Sequence, residues 1–195
     1  MTDAIMLTKN TDQLRKKVAT HIASDSIVQN IYWDESNKRG CFIGCLAHAD
    51  DPGINEQTYG LPVMVQRIAE SIFEGLEAGD AKAFFAALPD AVGCDGKDLT
   101  HVGWQFLAAE LRALPAQPDR VQVVIDPVIA GMDLLASSQE WPAFAAADAA
   151  ALAVRAADAA ADAAADADAV AARRRQRDTL LALISQAPVL EGGND

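Results

Sequence analysis

The sequence predicts an all-α protein, with a compact helical body over residues 11–137 and a long Ala/Asp-rich helix over residues 138–187. Two observations support this prediction. Apolar residues recur at helical spacing through the body, and no convincing pair of strand-like segments interrupts them. Between residues 143 and 172, 20 of the 30 residues are alanine, the best helix former. Residues 1–10 and 188–195 are expected to form flexible tails.

Four or five helices are expected in the body. The first begins near Thr11 and carries an apolar row of Leu14, Val18 and His21. Pro62 opens the next helix, whose row is Val65, Ile68, Ile72 and Leu76. Asp80 starts a short helix that Pro89 is expected to stop, and Phe73, Phe84 and Phe85 are expected in the core.

The second half of the body continues this pattern. Asp98 can cap a helix that carries Leu99, Val102 and Phe106, and it places His101 in the first turn. The valine-rich stretch after Pro118 has strand-like composition, but the apolar spacing further on favours a helix that is kinked or restarted at Pro127.

The alanine-rich helix is expected to end near Ser185, before Pro188. Its basic residues lie near the end, which suits the helix dipole. Its last turns are too apolar to remain in water. They should dock on the body or on a second copy of the chain, which makes a homodimer through this helix possible. The apolar side chains in question are Leu180, Leu181, Leu183 and Ile184.

The formal net charge of −12 argues against a general nucleic-acid binder and against a ligand of anionic membranes. The charge is uneven, because residues 41–140 hold 5 basic and 15 acidic residues, whereas residues 1–40 hold 6 basic and 5 acidic ones. A local basic patch is therefore compatible with the sequence. No apolar run is long enough to span a bilayer, no signal peptide is apparent, and a reduced, cytoplasmic protein is expected.

Cys41, Cys45 and His48 are the first candidates for a site, because their spacing of i, i+4 and i+7 would place them on one helix face. Core packing is the favoured interpretation, with Gly40 and Gly44 allowing another helix to approach. A pocket for a small ligand is the second interpretation. The third is a zinc site, whose fourth ligand would be Cys94, His101, Asp50 or Glu56.

The ligand-binding residues expected from the sequence are Trp33, Cys41, Cys45, His48, Glu56 and Tyr59. Aromatic side chains beside a histidine and carboxylates suit a pocket for a polar ligand. Cys45 and His48 could form a nucleophilic pair, but nothing in the sequence indicates an oxyanion hole. No catalytic residue, metal ligand or cofactor is assigned. His21 is expected to be a partly buried, hydrogen-bonded histidine, and Glu70, Glu74 and Glu77 to form a solvated helix face.

Residues 40–76 resemble a family of small proteins, without an assigned activity, that occurs in bacteria and their phages. The resemblance rests on Gly-Cys-x-x-Gly-Cys-x-x-His at residues 40–48, a glutamate before Gly-Leu-Pro at 56–62, and Glu-x-Ile-Phe-Glu-Gly-Leu at 70–76. Members of this family also tend to carry an Ala/Asp-rich C-terminal helix. The resemblance implies a phage or prophage origin.

The sequence lacks the phosphate-binding loop, the dinucleotide-binding motif, the nucleophile elbow and the paired-histidine zinc motif of common enzymes. We therefore expect a non-enzymatic binding or interaction protein, such as a phage-type inhibitor of a host protein. Its partner would be a host protein or a small polar ligand. The alternative is a small enzyme that uses a Cys–His pair or a metal at the same motif.

Overall fold

The computed structural model describes residues 6–115, 119–141 and 166–190, and it confirms the all-α fold class. The chain divides into two compact units. The first comprises residues 1–100 and 177–195, and the second comprises residues 101–176. A single body was predicted over residues 11–137. The division instead places residues 101–137 in the second unit and the end of the C-terminal helix in the first.

Among the described residues, the first unit contains five complete helices, the end of a further helix and one small hairpin. The helices are α1 (Thr11–Ala23), α2 (Phe42–Ala47), α3 (Pro52–Tyr59), α4 (Val63–Gly75) and α5 (Ala78–Val92). The hairpin pairs β1 (Trp33–Asp34) with β2 (Arg39–Gly40) in antiparallel fashion, with Trp33 opposite Gly40. The helices predicted from Thr11 and from Pro62 are confirmed.

The core of the first unit centres on α2, which packs against α1, α3, α4 and β2. The ring of Phe42 lies 5.4 Å from the rings of Phe84 and Phe85 and 6.1 Å from that of Phe73. All four rings are fully buried, which confirms the core positions predicted for the last three. Aromatic pairs at these separations stabilise a core beyond the area they bury.

One helix was not predicted, and one helix boundary differs from the sequence prediction. Asp51 starts the unpredicted α3, because its Oδ1 accepts a hydrogen bond of 2.8 Å from the Gly53 N–H and Pro52 follows at the first helical position. Pro89 lies inside α5 and does not stop it. A proline this close to the end removes only one helical hydrogen bond, so the helix continues to Val92.

Residues 6–10 are held by hydrogen bonds within the first unit, although a tail was expected over residues 1–10, of which 1–5 lie outside the described residues. Thr8 is buried, and its backbone N–H donates to the Lys97 carbonyl over 2.9 Å. Its hydroxyl donates to the Cys94 carbonyl over 2.9 Å and accepts from the Lys97 N–H over 2.7 Å. On the other side of this loop, the Asp98 N–H donates to the carbonyl of Pro188 over 2.8 Å.

The last described helix is α8 (Asp166–Gln186). In the first unit, Leu180 and Ile184 are fully buried, so the end of α8 docks on its own chain. The expected homodimer through this helix stays a prediction. Residues 142–165, which hold most of the alanine-rich segment, lie outside the described residues.

The second unit contains α6 (Val102–Arg112), α7 (Asp119–Ala136) and the beginning of α8. The helix predicted across Pro127 is confirmed, and the proline lies inside it. His101 precedes α6, and its Nδ1 lies 3.0 Å from the carbonyl oxygen of Leu135. Gln176 Nε2 donates to the buried Glu110 carboxylate over 3.0 Å.

Across the described residues, none of the helices combines the length and the apolar character needed to cross a bilayer.

Candidate functional site

The Cys41–His48 motif forms a shorter helix than its spacing suggests. Helix α2 covers Phe42–Ala47 only. Cys41 precedes it in an extended conformation, and His48 follows it in the left-handed region (φ 56°, ψ 33°). A shared face for Cys41, Cys45 and His48 would need helical backbone throughout. That face does not form, and the three side chains enter different surroundings.

The glycines of the motif bring the Tyr32 backbone against α2. A Cβ atom on Gly44 would lie 1.5 Å from the Tyr32 carbonyl oxygen, and one on Gly40 would lie 2.2 Å from it. The close approach predicted for this face exists, but its partner is the segment before β1 and not another helix. The contact fixes Trp33 beside the end of α2.

Cys45 is a buried thiol with its own hydrogen bond. Its side chain is fully buried, and Sγ donates to the Gly40 carbonyl oxygen over 3.1 Å. Burial raises the pKa of this thiol to about 12. The thiolate is the nucleophilic form of cysteine, so burial disfavours the reactive form of Cys45 at neutral pH.

Cys41 belongs to a different group, with Glu70 and Glu74 of α4. One ligand atom from each lies within 4.8 Å of the other two, which makes this the group of the described region that could hold a metal ion. Glu70 is buried, although a solvated helix face was expected, because α2 covers it and the Ile43 N–H donates to its carboxylate over 3.3 Å. Burial raises the pKa values of Cys41 and Glu70, so both tend to keep a proton. A metal ion would have to displace the thiol proton.

His48 stacks on Trp33 and meets His21 of α1. The rings of Trp33 and His48 are nearly parallel, at 9° and a centroid separation of 4.3 Å. The two histidine Nε2 atoms lie 3.0 Å apart, so one ring presents its N–H and the other its lone pair. His21 Nδ1 lies 2.7 Å from the Ser26 hydroxyl, which confirms the hydrogen-bonded, buried histidine predicted there.

An open groove of about 350 Å³ runs beside this aromatic stack. We call it the α1 groove, after the helix that contributes most of its wall. Among the described residues, its charged lining consists of Lys16, Lys17 and Lys38, with no acidic side chain in the wall. Lys17 is half-buried, and burial lowers the pKa of its ammonium group.

Two of the predicted site residues have structural contacts instead. Glu56 Oε1 accepts from the Val63 N–H over 3.1 Å, so this carboxylate caps the start of α4. Tyr59 is 2% exposed and belongs to the core. Asp50 is exposed after the motif.

Sequence reasoning brought Trp33 and His48 into one site but missed Lys16, Lys17, Lys38 and His21 as its members. The signal was present as the basic run Arg15–Lys17 in an acidic chain. Only the fold shows that Lys16 and Lys17 line the groove beside the aromatic stack, whereas Arg15 bonds to Asp90 and Gly93.

The chain matches no protein-family model, no curated protein and no solved structure, so its function has to be argued from its own residues.

We expect acidification to destabilise the protein through His21. Burial, followed by the influence of His48, lowers the pKa of His21 to about 4 in the folded state, against 6.5 for an ordinary histidine. The unfolded chain therefore binds a proton at a higher pH than the folded chain. The contribution of His21 to the free energy of unfolding is fully present above pH 6.5 and is lost as the pH falls toward 4. The loss is about 2 kcal/mol between pH 7 and pH 5.

Urea unfolding of the native protein and of His21→Asn at several pH values measures this loss. The acid-side slope should be shallower in the variant than in the native protein. Burial raises the pKa values of Glu70, Glu74 and Glu110, which gives the opposite slope in both proteins. Equal slopes in the native protein and in His21→Asn would contradict the assignment.

We expect one thiol to react quickly with iodoacetamide in the folded protein, and we expect that thiol to be Cys94. Cys94 is exposed, whereas Cys41 and Cys45 are buried. The two buried thiols should react at least about 100-fold more slowly, because burial disfavours their thiolate forms. Peptide mapping identifies the labelled residue, and Cys94→Ser should remove the fast phase. Fast labelling of Cys45 would instead favour the small-enzyme alternative.

Proposed function

We propose that this chain is a binding protein that does no chemistry itself, and that its site is the α1 groove beside the Trp33–His48 stack. The observation that carries the proposal is the arrangement of two histidines and one tryptophan along the wall of an open groove. The exposed His48 side chain offers a polar edge, and Trp33 offers a flat apolar surface. Such a combination suits a small polar ligand with a few oriented hydrogen bonds.

Two observations weigh against the small-enzyme alternative. Cys45 keeps its proton and bonds to Gly40, and His48 engages Trp33 and His21. A Cys–His pair needs a histidine that contacts the thiol and lowers its pKa. Burial does the opposite here.

The nature of the partner is a second part of the proposal. The resemblance of residues 40–76 to bacterial and phage proteins allows an interaction role, such as inhibition of a host protein. The groove is large enough for a small molecule or for one side-chain group of such a protein. In either case the ligand contributes a small polar group that reaches the histidine pair.

The test follows the indole N–H signals of the full-length protein by ¹H–¹⁵N NMR during titration with small polar compounds. Sugars, amino acids, nucleosides and organic phosphates make up the panel. A ligand of the groove should move the Trp33 signal and leave those of Trp104 and Trp141, which belong to the second unit. His48→Ala should abolish the shift in a protein that stays folded, at a stability cost of about 1–3 kcal/mol, because the variant loses the stack on Trp33 and the partner of the buried His21 Nε2.

Asp50→Asn, at an exposed position two residues further on, is the matched control and should keep the shift. If no compound moves the Trp33 signal, or if all three indole signals move together, the groove is not the site. A large loss of stability in His48→Ala with intact binding would assign His48 to the scaffold.

A further inference from the structure

We propose that the ligand of the α1 groove carries an oxyanion, a phosphate or carboxylate group, that Lys16 and Lys17 bind beside the histidine pair. This inference rests on the proposed function and names the class of ligand. Its basis is the charge of the groove wall, which has three lysines and no acidic side chain in a chain of net charge −12.

The three lysines differ in their partners. Lys38 pairs with Glu35, whose carboxylate also accepts from the Trp33 Nε1–H over 2.7 Å. Glu35 therefore compensates the charge of Lys38 at the rim of the groove. Among the residues that the structure describes, neither Lys16 nor Lys17 forms an ion pair. The uncompensated positive charge of the groove is therefore on α1.

The charge of Lys17 has no counterion among the residues that the structure describes. Its ammonium group is half-buried, and the pKa of Lys17 is lowered because burial penalises the charged form. The same ammonium also acts to lower the pKa values of His21 and His48, so all three groups lie in one positive field. A cation that is partly withdrawn from water without an anion is costly, and a bound oxyanion would reduce that cost.

The neutral groups of the groove leave few donors for a ligand. The Nε2 atoms of His21 and His48 share one N–H between the two rings, and His21 Nδ1 lies 2.7 Å from the Ser26 hydroxyl. The hydroxyl groups of Thr20 and Ser24 already donate to carbonyl oxygens of α1. Recognition of an acceptor-rich group therefore falls to the two lysines, with charge-assisted hydrogen bonds to the oxyanion.

The experiment titrates the full-length protein with inorganic phosphate, and separately with acetate, at constant ionic strength maintained with sodium chloride. The indole signal of Trp33 reports binding. We expect a saturable shift with at least one of the two anions. Saturation with phosphate alone points to a phosphorylated small molecule, and saturation with acetate alone points to a carboxylate ligand.

Lys17→Gln should weaken binding of the effective anion at least tenfold. Lys9→Gln, which changes an exposed lysine outside the groove, should leave binding unchanged. A linear shift for both anions, or equal affinities in the two variants, overturns the inference.

Failure of the anion inference can be distinguished from failure of the binding proposal. A neutral compound that moves the Trp33 signal equally in the native protein and in Lys17→Gln, while both anions fail, leaves the binding proposal intact and removes the oxyanion. If neither neutral compounds nor anions move that signal, both proposals fail.

Discussion

Replacing Gly44 by alanine should destabilise the first unit by about 3 kcal/mol or more. The added Cβ atom would lie 1.5 Å from the carbonyl oxygen of Tyr32 and 2.6 Å from its carbonyl carbon. These are backbone atoms, and the Cys41 N–H holds the same carbonyl by a hydrogen bond of 3.2 Å. The clash cannot be relieved by turning a side chain, so either α2 or the segment before β1 has to move.

The matched control is Gly79→Ala. Gly79 is an exposed residue in the first turn of α5, and a Cβ atom added there meets nothing within 4 Å. Alanine at this position should stabilise the protein by about 0.5–1 kcal/mol, because glycine loses more backbone entropy on entering a helix. Urea unfolding followed by circular dichroism measures both changes.

A second readout connects this contact to the candidate site. Displacement of Tyr32 also displaces Trp33, so the Trp33 indole signal should move in Gly44→Ala even where the protein stays folded. The signals of Trp104 and Trp141 should stay in place. Equal stability of the two alanine variants would contradict the close contact between the Tyr32 carbonyl oxygen and Gly44, where an added Cβ atom would lie 1.5 Å from that oxygen.

Helices with regular apolar spacing could be predicted from the sequence. Val65, Ile68 and Ile72 are all buried on α4, as their spacing of three and four residues predicts. Local signals were less reliable where a residue type has two roles. Pro89 can stop a helix or lie in its last turns, and the choice depends on how Gly93 ends α5.

The contacts of the candidate site could not be predicted in the same way. His21 and His48 are 27 residues apart in the chain and lie on α1 and at the end of α2. Their meeting depends on how those helices pack, which no local pattern determines. Glu70 shows the same limit, because its row on α4 looks solvated until α2 covers it.

The end of α8 is held by a buried lysine of the first unit. Lys97 is 6% exposed, and its ammonium donates to the carbonyl oxygens of Ala91, Ile184 and Ser185 over 3.1, 3.1 and 2.8 Å. These carbonyls lie in the last turns of α5 and α8, where carbonyl oxygens lack N–H partners within the helix and the negative end of the helix dipole lies. One cation therefore satisfies two helix ends at once, and it does so where Leu180 and Ile184 enter the core.

Lys97→Met should destabilise the first unit by about 3–4 kcal/mol. Methionine preserves much of the aliphatic stem but removes the bond that Lys97 donates to each of the three carbonyl oxygens, and Ile184 then keeps its bond of 3.3 Å from the Ala187 N–H. Lys9→Met is the control, because Lys9 is exposed, and it should change stability by less than about 0.5 kcal/mol. Urea unfolding measures both values.

Hydrogen exchange should show faster opening at Leu180–Ile184 in Lys97→Met, since the end of α8 loses the hydrogen bonds that hold it. Native-like protection of those amides, together with a stability equal to that of Lys9→Met, would contradict an anchoring role for Lys97.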